Sequence, residues 1–327
     1  MRVLAGDVGG THVRLAIVEV DADHWRIIRM QRSPSARHDG LVPFLRDFLD
    51  APAPPPARAC IGIAGPVMDG ASTLSNLGWH IEARAVERAM GMATTLLNDF
   101  VALGHAIPRL TADDVVEIQR GRPVAGAPIA VIGPGTGLGQ GFLLRDRDRW
   151  GSYASEGGHA DFAPQTPLER DLADALEERF GHVSFERVVS GPGLVNVYEF
   201  LAAREPTAVR PDTRRAMADG DPAAAISARA LDGADELCVR ALDLFVSVFG
   251  AQAGNFALTI QARGGVHITG GIAPQILPKL TDGRFLTAFR DKGRFAGFMA
   301  DVPVRVVTNP DAGLLGAAVA AWGHPGR

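Results

Sequence analysis

The chain has 327 residues, 46% of them apolar and 21% charged, and a formal net charge of −4. That balance excludes an intrinsically disordered chain, and the slight acidity gives no general attraction to nucleic acid or an anionic membrane. The length exceeds what one core usually serves, so two lobes are expected.

Residues 2–20 read as a β-hairpin, with Val13, Leu15 and Ile17 alternating against Arg14 and Ala16 on the return strand. No secretory leader pattern precedes the first strand. A third strand is predicted over 25–30. A helix is predicted over residues 41–49, where Leu41, Phe44, Leu45, Phe48 and Leu49 share one side, and the proline cluster 52–56 ends it. Strands over 59–64 and 94–97 alternate with helices over 81–90 and 100–106, which makes an α/β lobe with a mixed sheet.

The polar, glycine-rich stretch 108–128 reads as a lobe boundary, after which strand–turn–strand restarts at Ile129. The alternating charges of residues 145–149 mark a solvated hairpin tip. Thr166-Pro167-Leu168-Glu169 has the form of a capping box opening a helix to Phe180 that Gly181 stops, and Asp221-Pro222 opens another. Helical segments run on to Ala262, and the hydrophobic stretch 242–260, broken by Asp243, Gln252 and Asn255, reads as a buried helix rather than a membrane span. A strand over 265–269, a helix from Pro274, a strand over 305–308 and a small-residue helix over 311–321 complete the chain. Cys60 and Cys238, far apart in apolar contexts, exclude a disulfide scaffold and fit a reducing cytoplasm.

Two glycine turns lie between strands, Gly6-Asp7-Val8-Gly9-Gly10-Thr11 and Gly133-Pro134-Gly135-Thr136-Gly137-Leu138-Gly139. Such turns converge backbone N–H groups on phosphate oxygens, although the first equally describes a plain hairpin turn. Asp7, at the end of a buried strand, needs a cation or a donor, and a Mg²⁺ reached through water would supply one. The second turn is neither a dinucleotide fingerprint nor a Walker loop. Asn98-Asp99, where a strand becomes a helix, reads either as a helix cap or as a general base with its hydrogen-bonding partner. Glu156 and His159 have the spacing of a metal pair without a second pair to complete it, so recognition of a polar ligand is the competing reading. Glu186 alone is a surface carboxylate. Gly270-Gly271 after a strand is either a helix start or bare backbone against which a flat ring lies.

Taken together with Asn98-Asp99-Phe100, Ser155-Glu156-Gly157-Gly158-His159 and Gly270-Gly271-Ile272, the two turns resemble the motifs of the bacterial ATP-dependent glucokinase family, in family order and over nearly the whole chain. The resemblance implies an α/β chain of the two-lobed actin-like ATPase/hexokinase (ribonuclease H-like) fold, with ATP and glucose in a cleft whose closure excludes water. It implies a small domain of residues 1–110 with 311–327, a large one of residues 111–310, and a homodimer in the cytoplasm that binds neither nucleic acid nor membrane. It further implies Asp99 as the base for the sugar 6-hydroxyl, and Asn98, Glu156, His159 and Glu186 as sugar ligands. Gly6, Asp7, Val8, Gly9, Gly10, Thr11, Gly135, Thr136 and Gly137 would hold phosphates, Gly270 and Gly271 adenosine, and Asp7 the Mg²⁺. His12 departs from the asparagine usual there. The isolated cysteines exclude a related kinase family with a cysteine-rich zinc motif. Another hexose or phosphoryl donor, or a sugar sensor without turnover, remains the alternative reading.

Overall fold

A computed structural model of the protein describes residues 1–22, 24–50, 55–74 and 77–323. Within the described chain, contacts group Met1–Asp114, Gly141–Ala154 and Asn309–Arg327 into one unit, and Val115–Gln140 with Ser155–Thr308 into another.

In the first unit the alternating segment pairs as expected: β1 (Arg2–Val8) runs antiparallel to β2 (His12–Val20), which pairs with β3 (Trp25–Pro34). Apolar residues on one face of α1 (Leu41–Leu49) bury Leu41, Phe44, Leu45 and Phe48. Of the proline cluster after it, residues 52–54 lie outside the described residues. Strand β4 (Arg58–Ile63) lies parallel to β1 on one side and to β7 (Ala93–Asn98) on the other, giving the order β3-β2-β1-β4-β7. Parallel pairing aligns Val8, Ile63 and Asn98 at one edge, the carboxyl ends of three neighbouring strands.

The helix predicted over 81–90 begins later. Trp79-His80-Ile81-Glu82 alternates buried and exposed side chains and forms β6 (Trp79–Glu82) against β5 (Ala71–Leu74), so the period there is two and α2 occupies only Ala83–Met90. Helix α3 (Asp99–Ala106) follows β7 without a loop.

In the second unit the polar stretch after Pro108 contains a strand, β8 (Val115–Gln119), antiparallel to β13 (Val304–Val307). Its one buried polar side chain is satisfied: Gln119 donates to the carbonyls of Met299 and Val302. The strand is itself β-branched and apolar at Val115, Val116 and Ile118, but it is only five residues long and is flanked by polar, Gly- and Pro-containing residues. Within this unit the strand order is β9-β12-β13-β8, with β9 (Ile129–Pro134) and β12 (Gly265–Ile268), while most residues of β10 (Leu138–Asp146) and β11 (Arg149–Ser155) group with the first unit. Residues Ile129–Pro134 are buried throughout, as expected for a strand covered on both faces.

Thr166 accepts from the Glu169 N–H at 3.2 Å and starts α4 (Pro167–Phe180), while Glu169 turns back to the N–H of Gln165. After α5 (Gly191–Arg204) and α6 (Pro211–Asp219), Asp221 caps α7 (Pro222–Leu231) in the same manner. Helix α8 (Glu236–Thr259) is long and apolar enough by composition to cross a bilayer, but most of it is buried inside this unit. Phe245 and Phe249 continue into a file of rings with Phe285 and Phe289 of α10 (Arg284–Arg290). The helix expected from Pro274 shrinks to one turn, α9 (Leu277–Leu280), because residues 270–276 spend their backbone in consecutive turns. A short α11 (Ala296–Asp301) precedes β13, and α12 (Ala312–Gly323) returns to the first unit, where its small residues pack on α3 and the sheet.

Burial pushes both thiols, Cys60 and Cys238, up to about 12, so neither is a nucleophile near neutrality. His267 on β12 is 6% exposed, and its Nδ1 has no partner among the described residues. Burial first, and the neighbouring Arg305 second, push this imidazole down to about 3. Between that value and the ordinary 6.5 the unfolded chain binds a proton that the folded chain does not, so stability falls as pH drops through this window. In His267→Met the slope of unfolding free energy against pH near pH 5 is expected to be shallower than wild type by up to about 1.4 kcal/mol per pH unit, read by urea titration.

Candidate active site

The carboxyl edge of β1, β4 and β7 carries the first half of the predicted site. Asn98 ends β7 and caps α3: its Oδ1 accepts from the N–H of Phe100 at 3.0 Å and of Val101 at 3.3 Å, and its Nδ2 donates to the Gly65 carbonyl at 3.1 Å. The cap reading therefore holds for Asn98, and the side chain is oriented from both ends. Asp99, the first residue of α3, accepts from the Phe100 N–H at 2.9 Å. Gly62 lies beside this edge on the adjacent strand. A side chain there would press on the Ala102 Cβ of α3 at 3.1 Å, while the Asp99 Cα and the Gly6 carbonyl lie at ordinary contact distance, 3.6 and 3.7 Å, so Gly62 lets α3 pack close against β4.

That turn spends part of its backbone on itself. Gly9 donates to the His12 carbonyl at 2.9 Å, and Ser35 bonds the carbonyls of Gly9 and Thr11 through its hydroxyl and its N–H. Among the described residues the N–H groups of Gly10 and Thr11 have no such bond. His12 serves the turn through its carbonyl, a role any residue type performs, which explains how the position departs from asparagine without loss of the turn. Sequence reasoning missed Arg14. It sits directly opposite Asp7, and its Nε donates to Asp7 Oδ2 at 3.0 Å while Nη1 reaches the Pro310 carbonyl. The counter-charge that Asp7 needs is thus partly supplied from within the chain. The signal was there, a lone cation facing a lone carboxylate across a hairpin.

The second half lies on the other unit, where parallel β9 and β12 end together. Gly133 and Gly270 are required by close approach: a side chain on Gly133 would lie 2.4 Å from the Thr269 carbonyl carbon, and one on Gly270, at φ +85°, would lie 2.4 Å from the Pro134 carbonyl oxygen. Gly135 donates to the Gly137 carbonyl and accepts from Gly191 at the start of α5, both at 2.8 Å. A cavity of about 530 Å³ opens beside this turn, walled by Gly135, Thr136, Gly191, Asp221, Ile272 and Gln275. Gly271 faces open space, whereas Gly270 is consumed by packing.

Glu156, His159 and Glu186 gather on the same unit. His159 Nδ1 stands 3.8 Å from Glu186 Oε1, and its Nε2 4.0 Å from Glu156 Oε2. Glu156 and His159 are largely exposed while the Glu186 side chain is 29% exposed. Among the described residues no cluster of three or more His, Cys, Asp or Glu is placed to hold a metal. Beneath the turn, buried Gln252 donates to the Gly157 carbonyl at 3.2 Å, a support invisible in the sequence because Gln252 is about a hundred residues away.

The glucokinase family model matches residues 4–324. The chain belongs to the glucokinase family. It is 40% identical over 335 aligned residues to the glucokinase of Nostoc punctiforme, with 98% of each chain covered. The crystal structure of a glucokinase from an Antarctic psychrotroph superposes with a TM-score of 0.86 at 35% identity, covering 99% of each chain. A glucokinase of the ROK family from Streptomyces griseus, solved in complex with glucose and AMPPNP, shares the fold at a TM-score of 0.69 and 21% identity, covering 99% of this chain and all of that one. Within the glucokinase family this chain therefore keeps the α/β sugar-kinase fold.

Because Asn98 holds α3 by two backbone N–H groups, Asn98→Ala should lower unfolding free energy by about 1 kcal/mol in urea denaturation.

Proposed function

We propose that this protein transfers the γ-phosphoryl group of ATP to the 6-hydroxyl of glucose, forming glucose 6-phosphate and ADP, the entry step of glycolysis. Membership of the glucokinase family over residues 4–324 carries the reading. Its assembly and location in this reading are a homodimer in the cytoplasm.

Phosphoryl transfer asks the protein mainly for positioning and charge neutralisation. Asp99 is assigned as the base that orients the 6-hydroxyl and takes its proton as the new P–O bond forms. Asn98, Glu156, His159 and Glu186 are assigned to the sugar hydroxyls. Carboxylates suit this task because each accepts from two or more hydroxyl groups, and a site so built rejects analogues that lack one. The N–H groups of the turns 6–11 and 135–137 are assigned to phosphate oxygens, and the strip Gly270-Gly271 to the adenosine.

A Mg²⁺ ion arriving with the nucleotide would neutralise charge on the transferring phosphate. The residues fit an ion carried mainly by phosphates, since Asp7 gives Oδ2 to Arg14 and keeps Oδ1 for a metal-bound water.

In Asp99→Asn, turnover measured as ADP release should fall at least about 100-fold while glucose binding by calorimetry persists. Near-normal turnover would remove Asp99 from this role. Asp7→Ala should chiefly raise the KM for Mg²⁺-ATP, and an unchanged KM with unchanged turnover would count against its assignment. ADP release across a panel of hexoses and donors separates glucose phosphorylation from another acceptor, another donor or sugar sensing without turnover.

A further inference from the structure

Glu186 touches more than the histidine beside it. Its Oε2 accepts from the backbone N–H of Leu138 at 2.9 Å, at the exit of the second glycine turn. Gly137 makes the contact possible, because a side chain there would lie 2.4 Å from the same oxygen. The other oxygen, Oε1, faces His159. One carboxylate therefore has one oxygen on the turn assigned to phosphates and one toward the residues assigned to the sugar.

The backbone of Glu186 is held so that this bridge keeps its place. Phe185 is buried, donates to the Ala160 carbonyl at 3.0 Å and meets Phe162 edge to face. The Glu186 carbonyl accepts from the Ser190 hydroxyl at 2.7 Å, and Ser190 in turn caps α5, whose first residue, Gly191, donates to Gly135. The turn 135–138 is thus tied to the segment 185–191 twice, by Gly191 to Gly135 and by Glu186 to Leu138. The first tie is backbone only. The second is the one that a side chain controls.

We infer that Glu186 is a positioning residue for the nucleotide turn as well as a sugar ligand, so that the shape of the phosphate-binding backbone depends on a carboxylate of the sugar site. The inference rests on the assignment of the two subsites above. A hydrogen bond from a backbone N–H to a carboxylate is among the stronger neutral-to-charged contacts, and its loss leaves the turn tied to the segment 185–191 by the single Gly191–Gly135 backbone hydrogen bond among the described residues.

The test is ATP binding in the absence of sugar, by calorimetry, in wild type, Glu186→Ala, Glu186→Gln and Gly137→Ala. Glu186→Ala and Gly137→Ala are expected to bind ATP about tenfold more weakly, while Glu186→Gln, whose amide oxygen still accepts from Leu138, stays within about threefold. Both Glu186 variants are expected to raise the KM for glucose. A ligand that served the sugar alone would leave ATP affinity unchanged in both Glu186 variants, and that result overturns the inference. Tighter ATP binding by Glu186→Ala also overturns it, because the carboxylate would then be blocking the N–H rather than holding the turn. Should Glu186→Ala fail to melt cooperatively, Glu186→Met against Glu186→Gln carries the comparison, and equal ATP affinities in those two proteins overturn the inference. Wild type that binds no ATP and releases no ADP with any hexose would instead sink the assigned function; an active wild type with indifferent variants sinks only the bridge.

Discussion

Backbone against backbone, with no side chain between, is the constraint on which the second glycine turn depends. Where parallel strands end side by side, the N–H groups just beyond them converge only if the chains come closer than a Cβ permits. Gly133 with Gly270 allows this between the ends of β9 and β12. The strands themselves are ordinary apolar runs. The small residues after them turn strand ends into places where backbone donors face a ligand.

Charge is handled within each half by local partners. Asp7 is met by Arg14 from the paired strand, Asn98 by the N–H groups of the helix it starts, and Glu186 by the N–H of Leu138. None of these groups waits as an isolated buried charge, which would be costly without a ligand. The exposed members, Glu156 and His159, are instead those with the loosest contacts, 3.8 to 4.0 Å apart from their neighbours. Water can therefore solvate them.

The large second unit supplies stiffness through α8 and its aromatic file, and this long helix also sends Gln252 to the turn that carries Glu156 and His159. The apolar stretch that composition alone leaves ambiguous between core and bilayer is, in the fold, a support for the site. Its burial comes from the helices packed around it, a property that no window of sequence contains.

Periodicity and turn chemistry were enough to determine the hairpin at the start, α1, the capping box of α4, the proline openings and the strand–turn–strand of residues 129–144, because each is a local preference with local partners. The order of the five motifs likewise identified the family. Only the tertiary structure decided that Trp79-His80-Ile81-Glu82 is a strand, that Val115–Gln119 between polar flanks pairs as β8, that Arg14 answers Asp7, and that Glu186 reaches Leu138. In each case the deciding partner is distant in sequence or sits on the opposite strand. A short alternating segment or a lone charge takes its meaning from what it faces, and facing is fixed only once the chain has folded.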